Sequence, residues 1–205
     1  MQDSRYDTDD YIYGVKPNDF LVENLHHIPK GHVLCLADGE GRNSVYLAQQ
    51  GYQVTAVDYS SHAIEKAKKL AAKADVFVNY VCADLNDYTM TQQEVAREAM
   101  NNQEFSAVVS IFAHFPPTLR NRVHEVIPTL LKSQGVYLVE SYTPKQLDYN
   151  TGGPKRAELM LSESILRAEL PSLEFVQLHE IERDVIEGSR HTGLSAVVQA
   201  IAKKH

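Results

Sequence analysis

A chain of 205 residues, 43% hydrophobic and 23% charged, is long enough for one self-sufficient core, burying roughly 70% of its unfolded surface without staples. A formal charge of −7 argues against a nucleic-acid surface, and no apolar run approaches the roughly 18 residues that cross a bilayer. Two cysteines, Cys35 and Cys82, each sit in an apolar strand-like run with another strand expected between them, which points away from a disulfide and to a reduced, cytoplasmic compartment. The lysines at 66, 68, 69, 203 and 204 read as solvated faces, and the acidic first ten residues lack a signal-peptide pattern. The expectation is one domain over 1–205, a monomer or weak dimer, with a small-molecule partner and neither nucleic acid nor membrane.

In chain order, residues 1–17 are polar with tyrosines at 6, 11 and 13, and Gly14 to Pro17 is a turn signal. Asn18 suits a helix N-cap before a stripe of Phe20, Leu21, Leu25 and Ile28, so residues 1–30 are expected to give a lid segment and a helix. Val33 to Ala37 is a buried-strand run. It breaks at Asp38-Gly39-Glu40-Gly41, and a helix over 42–50 follows, with Val45, Leu47 and Ala48 facing a core. A second strand, Tyr52 to Val57, ends in Asp58. Ser60 or Ser61 then caps a helix to about Lys73. Asp75 to Cys82 reads as strand three, Thr91 to Gln103 as helix-prone, and Phe105 to Phe112 as strand four. Pro116 and Pro117 start a helix to about Leu131, Lys132 to Gly135 turn, and Val136 to Glu140 is strand five. The irregular stretch 141–154 is of a length usually functional or disordered. Ala157 to Leu170 is helix-prone. Leu173 to Ile186 and Ser195 to Ala202 alternate as two strands joined by a hairpin through 187–193. The sum is an α/β chain: a Rossmann-like, doubly wound seven-stranded sheet, mostly parallel with a C-terminal antiparallel hairpin.

Strand, glycine loop and helix over 33–50 form the opening of a nucleotide-binding βαβ unit. Gly39 and Gly41 let the backbone pass close to a ligand, and the helix start at Arg42 and Asn43 turns N–H groups into the crevice. Asp58, about 17 residues past Gly41, stands where a ribose is held by its hydroxyls. Asp38 and Glu40 would repel a pyrophosphate and tolerate an ammonium and a sulfonium, so an adenosyl cation suits the loop better than a dinucleotide. A nicotinamide-dependent oxidoreductase is the alternative, since Asp58 serves that ribose equally well.

The run from Gly41-Arg-Asn-Ser-Val-Tyr-Leu-Ala to Ala56-Val-Asp58 resembles class I S-adenosylmethionine-dependent methyltransferases, and within them the small tellurite-resistance type; 141–154 and 187–193 share that likeness. The similarity to the class runs from about Asp19 to the end. It implies S-adenosyl-L-methionine as cofactor, with Ala37, Asp38, Gly39, Gly41, Arg42 and Asn43 near its methionine end. Asp58 would bind the ribose, Asp84 the adenine amino group, and Leu85 the ring face. Tyr59 either covers the adenine or shields the strand end, and Ser60 either joins the site or is a cap alone. Ile111, in the stretch Ser110 to Pro116, would sit where strand four opens over the methyl. The N-terminal segment would fold over the cofactor, with Tyr11 and Tyr13 near the sulfonium, or else hang as a tail. Many members carry an acidic residue where this chain has Cys35 and glycine where it has Ala37, which makes Asp38 the candidate to take over part of that work.

On the acceptor side the candidates are His114, Tyr142 and His191, with Arg190 placed to hold an oxyanion. Each histidine also reads as a hydrogen-bonded structural residue. By resemblance the acceptor is a chalcogen oxyanion or thiol-like compound. None of the nine histidines has metal-ligand spacing, so no metal is expected, and there is no G-x-S-x-G elbow. A non-catalytic protein that binds S-adenosylmethionine is the remaining reading.

Overall fold

The computed structural model describes residues 6–86, 104–188 and 191–205. Its seven strands are β1 (His32–Leu36), β2 (Gln53–Asp58), β3 (Asn79–Cys82), β4 (Phe105–Ile111), β5 (Leu131–Tyr142), β6 (Glu174–Glu187) and β7 (His191–Lys203). They form one sheet in the order β3-β2-β1-β4-β5-β7-β6. The first five strands run parallel, and β7 pairs antiparallel with both β5 and β6. This is the doubly wound sheet with a closing hairpin that the pattern predicts.

Every residue of β1 and β4 is buried, because helices cover both faces of a parallel sheet. The two-residue period of a strand splits their side chains between two cores. Val33 and Cys35 pack with Phe20, Leu21 and Leu47, while Leu34 and Leu36 pack with Leu119, Val123 and Ile127. The covering helices are α1 (Asp19–Glu23), α2 (Arg42–Gln49), α3 (Ser61–Lys73), α4 (Pro117–Leu130) and α5 (Glu163–Glu169). The caps are the expected ones: Asn18 accepts from the Leu21 N–H and Ser60 from the Ala63 N–H. Cys35 and Cys82 are free, on β1 and β3 with β2 between them.

Five elements differ from the sequence pattern, the first being the helix expected over Phe20 to Ile28, which splits into α1 and a 3-10 turn, Leu25–His27. β3 starts at Asn79, because Asp75 takes a φ of 54° and delays the extended backbone. The turn at Lys132 to Gly135 lies within β5 as an irregularity, where the pairing with β4 skips from Leu131 to Val136 and Gln134 has a φ of 66°. The helix pattern over 157–170 splits into a 3-10 turn, Ala157–Leu159, and α5, whose cap is Ser162. β7 begins at His191 instead of Ser195, so the hairpin loop is shorter than expected. The helix expected over 91–103 and Arg190 lie outside the described residues. Among the described residues no helix is long and apolar enough to cross a membrane, and no cluster could hold a metal ion.

β1 leads outward to β2 and β3, and its other neighbour β4 leads to β5. The crevice at the carboxyl ends of β1 and β4 is the topological switch point, where open α/β sheets bind ligands.

Candidate functional site

A cavity of about 830 Å³ opens at this switch point. The loop from β1 to α2 forms its floor. Ala37, Gly39 and Gly41 have φ of 50°, 61° and 89°. Asp58, at the tip of β2, anchors this loop. Its two carboxylate oxygens accept from the Gly39 N–H at 2.8 Å and the Ser60 N–H at 2.9 Å, which fixes the carboxylate at the cavity wall. Asp38 also lines the cavity, and its Oδ2 accepts from Ser44 Oγ at 2.5 Å. Burial pushes the Asp38 carboxyl up to about 7; the Ser44 hydroxyl works against that rise and the Asp58 charge adds to it.

Glu40 is turned otherwise than its sequence position suggests. It forms a buried ion pair with Lys66 of α3 and accepts from the Tyr13 N–H at 3.3 Å. It therefore ties the N-terminal segment down. Tyr11 helps, donating from its hydroxyl to the Lys66 carbonyl at 2.9 Å. The segment 6–14 thus runs over the cavity, and Tyr6, Tyr13 and Gly14 contribute to its lining. Burial, and next the Asp58 charge, drive the Tyr6 phenol far above its ordinary range.

Beyond β3, Asp84 and Leu85 line the cavity, with Tyr59 beside them. Leu85 is buried, whereas Asp84 is exposed and accepts from the Asn86 N–H at 2.8 Å, a turn role compatible with facing a ligand. On the far side β4 ends in Ile111, Phe112, Ala113 and His114, all in the lining. Phe112 has a φ of 51°, a sterically costly backbone for an aromatic residue. That bend turns its ring between Tyr142 and His191, with centroids 4.6 and 5.0 Å away. His191 also stacks obliquely on Tyr13 at 4.6 Å. Phe115, Leu159 and the stretch Asn150 to Lys155 complete this end.

Among the described lining residues, every carboxylate (Asp38, Glu40, Asp58, Asp84) belongs to the ends of β1, β2 and β3. The opposite end carries His114, His191 and Lys155 with aromatic and aliphatic side chains. One end suits an adenosyl cation and the other a nucleophile brought in line with it.

A family model described as a methyltransferase domain matches residues 33–135, half of the chain. The chain belongs to this methyltransferase family. It is an enzyme, and its cofactor is S-adenosylmethionine, which sets aside the nicotinamide alternative. No curated protein matches the sequence. Solved structures share the fold at low identity. TehB from Haemophilus influenzae is 17% identical with a TM-score of 0.72, over 100% of this chain and 66% of that one. A S-adenosylmethionine-dependent methyltransferase from Clostridium acetobutylicum ATCC 824 is 13% identical with a TM-score of 0.64, over 99% and 95%. Magnesium protoporphyrin IX methyltransferase from Synechocystis PCC 6803, solved with bound S-adenosylhomocysteine, is 15% identical with a TM-score of 0.58, over 91% and 78%.

Within the methyltransferase, the cavity brings together Tyr13, Ala37, Asp38, Gly39, Arg42, Asn43, Asp58, Tyr59, Asp84, Leu85, Ile111, His114 and His191. Four expected site residues lie outside its lining, the first of them Tyr11, whose hydroxyl is turned to the Lys66 carbonyl. Gly41 packs against α3: a Cβ there would come 2.7 Å from Ala67 Cβ. Ser60 is the cap of α3 and supports Asp58 through its backbone. Tyr142 is fully buried beneath Phe112 and Gly153. Cys35 is buried in the core, which drives its thiol well above the ordinary range. Sequence reasoning did not single out Phe112, Lys155 or Leu159 for the lining, nor Glu187 behind His191. The length of 141–154, the likeness carried by 141–154 and 187–193, and the stretch Ser110 to Pro116 pointed towards that wall without naming these residues.

Proposed function

We propose that the enzyme methylates a small, soft acceptor, a chalcogen oxyanion or a thiol-like compound, in the manner of the small tellurite-resistance type. The observation that carries this reading is the division of the cavity. The lining carboxylates all follow β1, β2 and β3, whereas the histidines, Lys155, Phe112 and Phe115 come from the ends of β4, β5 and β6 onward. A polarizable acceptor makes favourable contacts with aromatic rings, and among the described lining residues at that end none is a carboxylate. The likeness in fold to TehB from Haemophilus influenzae supports the subtype.

When bound, the cofactor supplies an activated methyl group on a sulfonium. The chain's part is to bind, orient and dehydrate. Asp58, held by two backbone N–H groups, takes the ribose hydroxyls, Leu85 and Tyr59 flank the adenine, and Asp84 faces its amino group. Asp38 is placed to face the ammonium in the role that Cys35, inside the core, does not fill. Tyr13, with Tyr6 beside it, closes the site against water. Phe112, His114 and His191 frame the acceptor, and Ile111 the space beside the methyl. On this reading the protein is a single catalytic domain working in the cytoplasm, as a monomer or weak dimer, without a nucleic-acid or membrane partner.

The test is an acceptor panel of selenite, tellurite, thiols and amines, scored by S-adenosylhomocysteine release. Turnover with the chalcogen compounds supports the assignment; turnover confined to amines overturns it.

A further inference from the structure

Resting on that reading, we infer that the acceptor is a thiol that arrives protonated, that His191 takes its proton, and that Glu187 is the positioning residue behind His191. Glu187 ends β6 and His191 opens β7, and the two are cross-strand partners at the hairpin. His191 Nδ1 lies 3.9 Å from Glu187 Oε2. Glu187 itself is only 5% exposed and heavily fixed. Its Oε2 accepts from Arg42 Nη2 at 2.6 Å, and its Oε1 from Asn18 Nδ2 at 2.8 Å. Arg42 is the first residue of α2, directly after the cofactor loop, and Asn18 is the cap of α1. One carboxylate is therefore held by the cofactor loop and the N-terminal helix, and faces a histidine in the cavity wall.

A carboxylate behind an imidazole orients the ring, selects the tautomer with the proton on Nδ1, and stabilises the imidazolium once Nε2 is protonated. A contact of 3.9 Å is loose for a hydrogen bond, as such pairs often are before substrate binds. An acceptor that is already an anion needs none of this. The arrangement therefore favours a nucleophile with a proton to lose. Among these, a thiol lies closest to imidazole in acidity, about 2 pH units away, whereas phenols and alcohols are further off. The Lys155 charge at that end disfavours an amine, which would enter as a cation. In the balanced step, a thiol proton moves to His191 Nε2 and the sulfur forms the new bond to the methyl carbon. The old carbon–sulfur pair stays on the cofactor's sulfur, leaving S-adenosylhomocysteine, the methylated thioether and an imidazolium. Tyr13 from the N-terminal segment and Tyr142 from β5 pack on the same ring. Arg42 and Arg183 reach Glu187, and Glu140 lies behind Arg183.

The test uses the full chain and two readouts. In the protein without cofactor, NMR titration of the histidine rings follows His191, assigned by its loss in His191→Asn. Glu187→Gln should lower its titration midpoint by about 1 pH unit; an unchanged midpoint overturns the positioning role. Against a panel of small thiols, His191→Asn should lose about 100-fold or more of the turnover near neutral pH. It should regain activity as pH rises and thiolate accumulates, while binding S-adenosylmethionine with unchanged affinity. Equal turnover by wild type and His191→Asn, or no wild-type turnover of any thiol, overturns the acceptor assignment. Should Glu187→Gln fail to fold, the His191→Asn comparison decides alone. A wild-type protein that binds S-adenosylmethionine but methylates only selenite or tellurite would sink this inference and leave the broader function standing.

Discussion

Ala37 sits at a φ of 50° on the cavity floor, where the resembling family has glycine. A Cβ in the left-handed region costs roughly 1–2 kcal/mol. Glycine would remove that cost but give the unfolded chain more freedom to lose, about 0.4–1 kcal/mol. Ala37→Gly should therefore gain roughly 0.5 kcal/mol of stability in urea unfolding; a loss would mean that the methyl group is a packing contact. Asp58 is the opposite case, a loop anchor to which the proposed function also assigns the ribose. Asp58→Ala orphans two buried N–H groups, those of Gly39 and Ser60, at about 1–3 kcal/mol each. It should both lower the melting temperature and weaken cofactor binding in calorimetry. A variant that binds normally while melting early would reduce Asp58 to a loop anchor. Asp58 was legible in the sequence because its spacing from the glycine loop is local and repeated across nucleotide-binding folds. Glu187 was not, because its partner Arg42 is 145 positions away and no periodicity carries a contact of that span.

The elements that build the site are held by such long-range polar contacts as well as by packing. Arg183 of β6 grips Glu140 of β5 through Nε at 2.8 Å and Nη2 at 2.7 Å, and Gln199 of β7 donates to the same carboxylate. Asn18 adds α1 to this group, donating to both Glu140 and Glu187. Burial alone would raise the Glu187 carboxyl; His191, Arg42 and Asn18 outweigh it and hold the group at about 2. A depressed carboxyl contributes stability that is present above its ordinary value near 4.3 and lost as pH falls from there towards 2. The contribution is about 3 kcal/mol. Glu187→Gln should be less stable at neutral pH, because buried Arg42 loses its counter-charge. Its stability should also fall less steeply between pH 4 and 2 in acid unfolding. An unchanged slope would place the acid sensitivity elsewhere. Gly41→Ala tests a second junction: the new methyl meets Ala67 Cβ at 2.7 Å and its Cα at 2.9 Å, at a φ of 89°. Overpacking of this kind should cost about 1–3 kcal/mol by forcing α2 from α3. The sequence marked Gly41 as a ligand contact because the motif's glycines look alike on paper; one of them serves helix packing.

At the scale of the whole molecule, the sheet order and closing hairpin were legible because each strand carries its own period and each helix its own cap. The path of residues 6–14 was legible only as one of two readings, a cover or a tail, because it depends on Lys66 presenting a cation to Glu40 from α3. Folding that segment over the strand ends encloses carboxylates that would otherwise stand in water. The raised Asp38 carboxyl follows from this enclosure. Its sign is the reverse of Glu187. A raised carboxyl favours the folded state fully below its ordinary value near 3.9, and that contribution is lost as pH rises through about 7. A bound sulfonium and ammonium favour the ionised form, so the cofactor should return what the higher pH removes. S-adenosylmethionine at 100 times its dissociation constant should add about 2.7 kcal/mol, roughly 5–10 °C of melting temperature for a chain of this size. That shift should be larger at pH 8 than at pH 6 for a fixed cofactor concentration, and the difference should shrink in Asp38→Asn. Equal shifts at both pH values, or a larger one at pH 6, would place the cofactor's positive end away from Asp38.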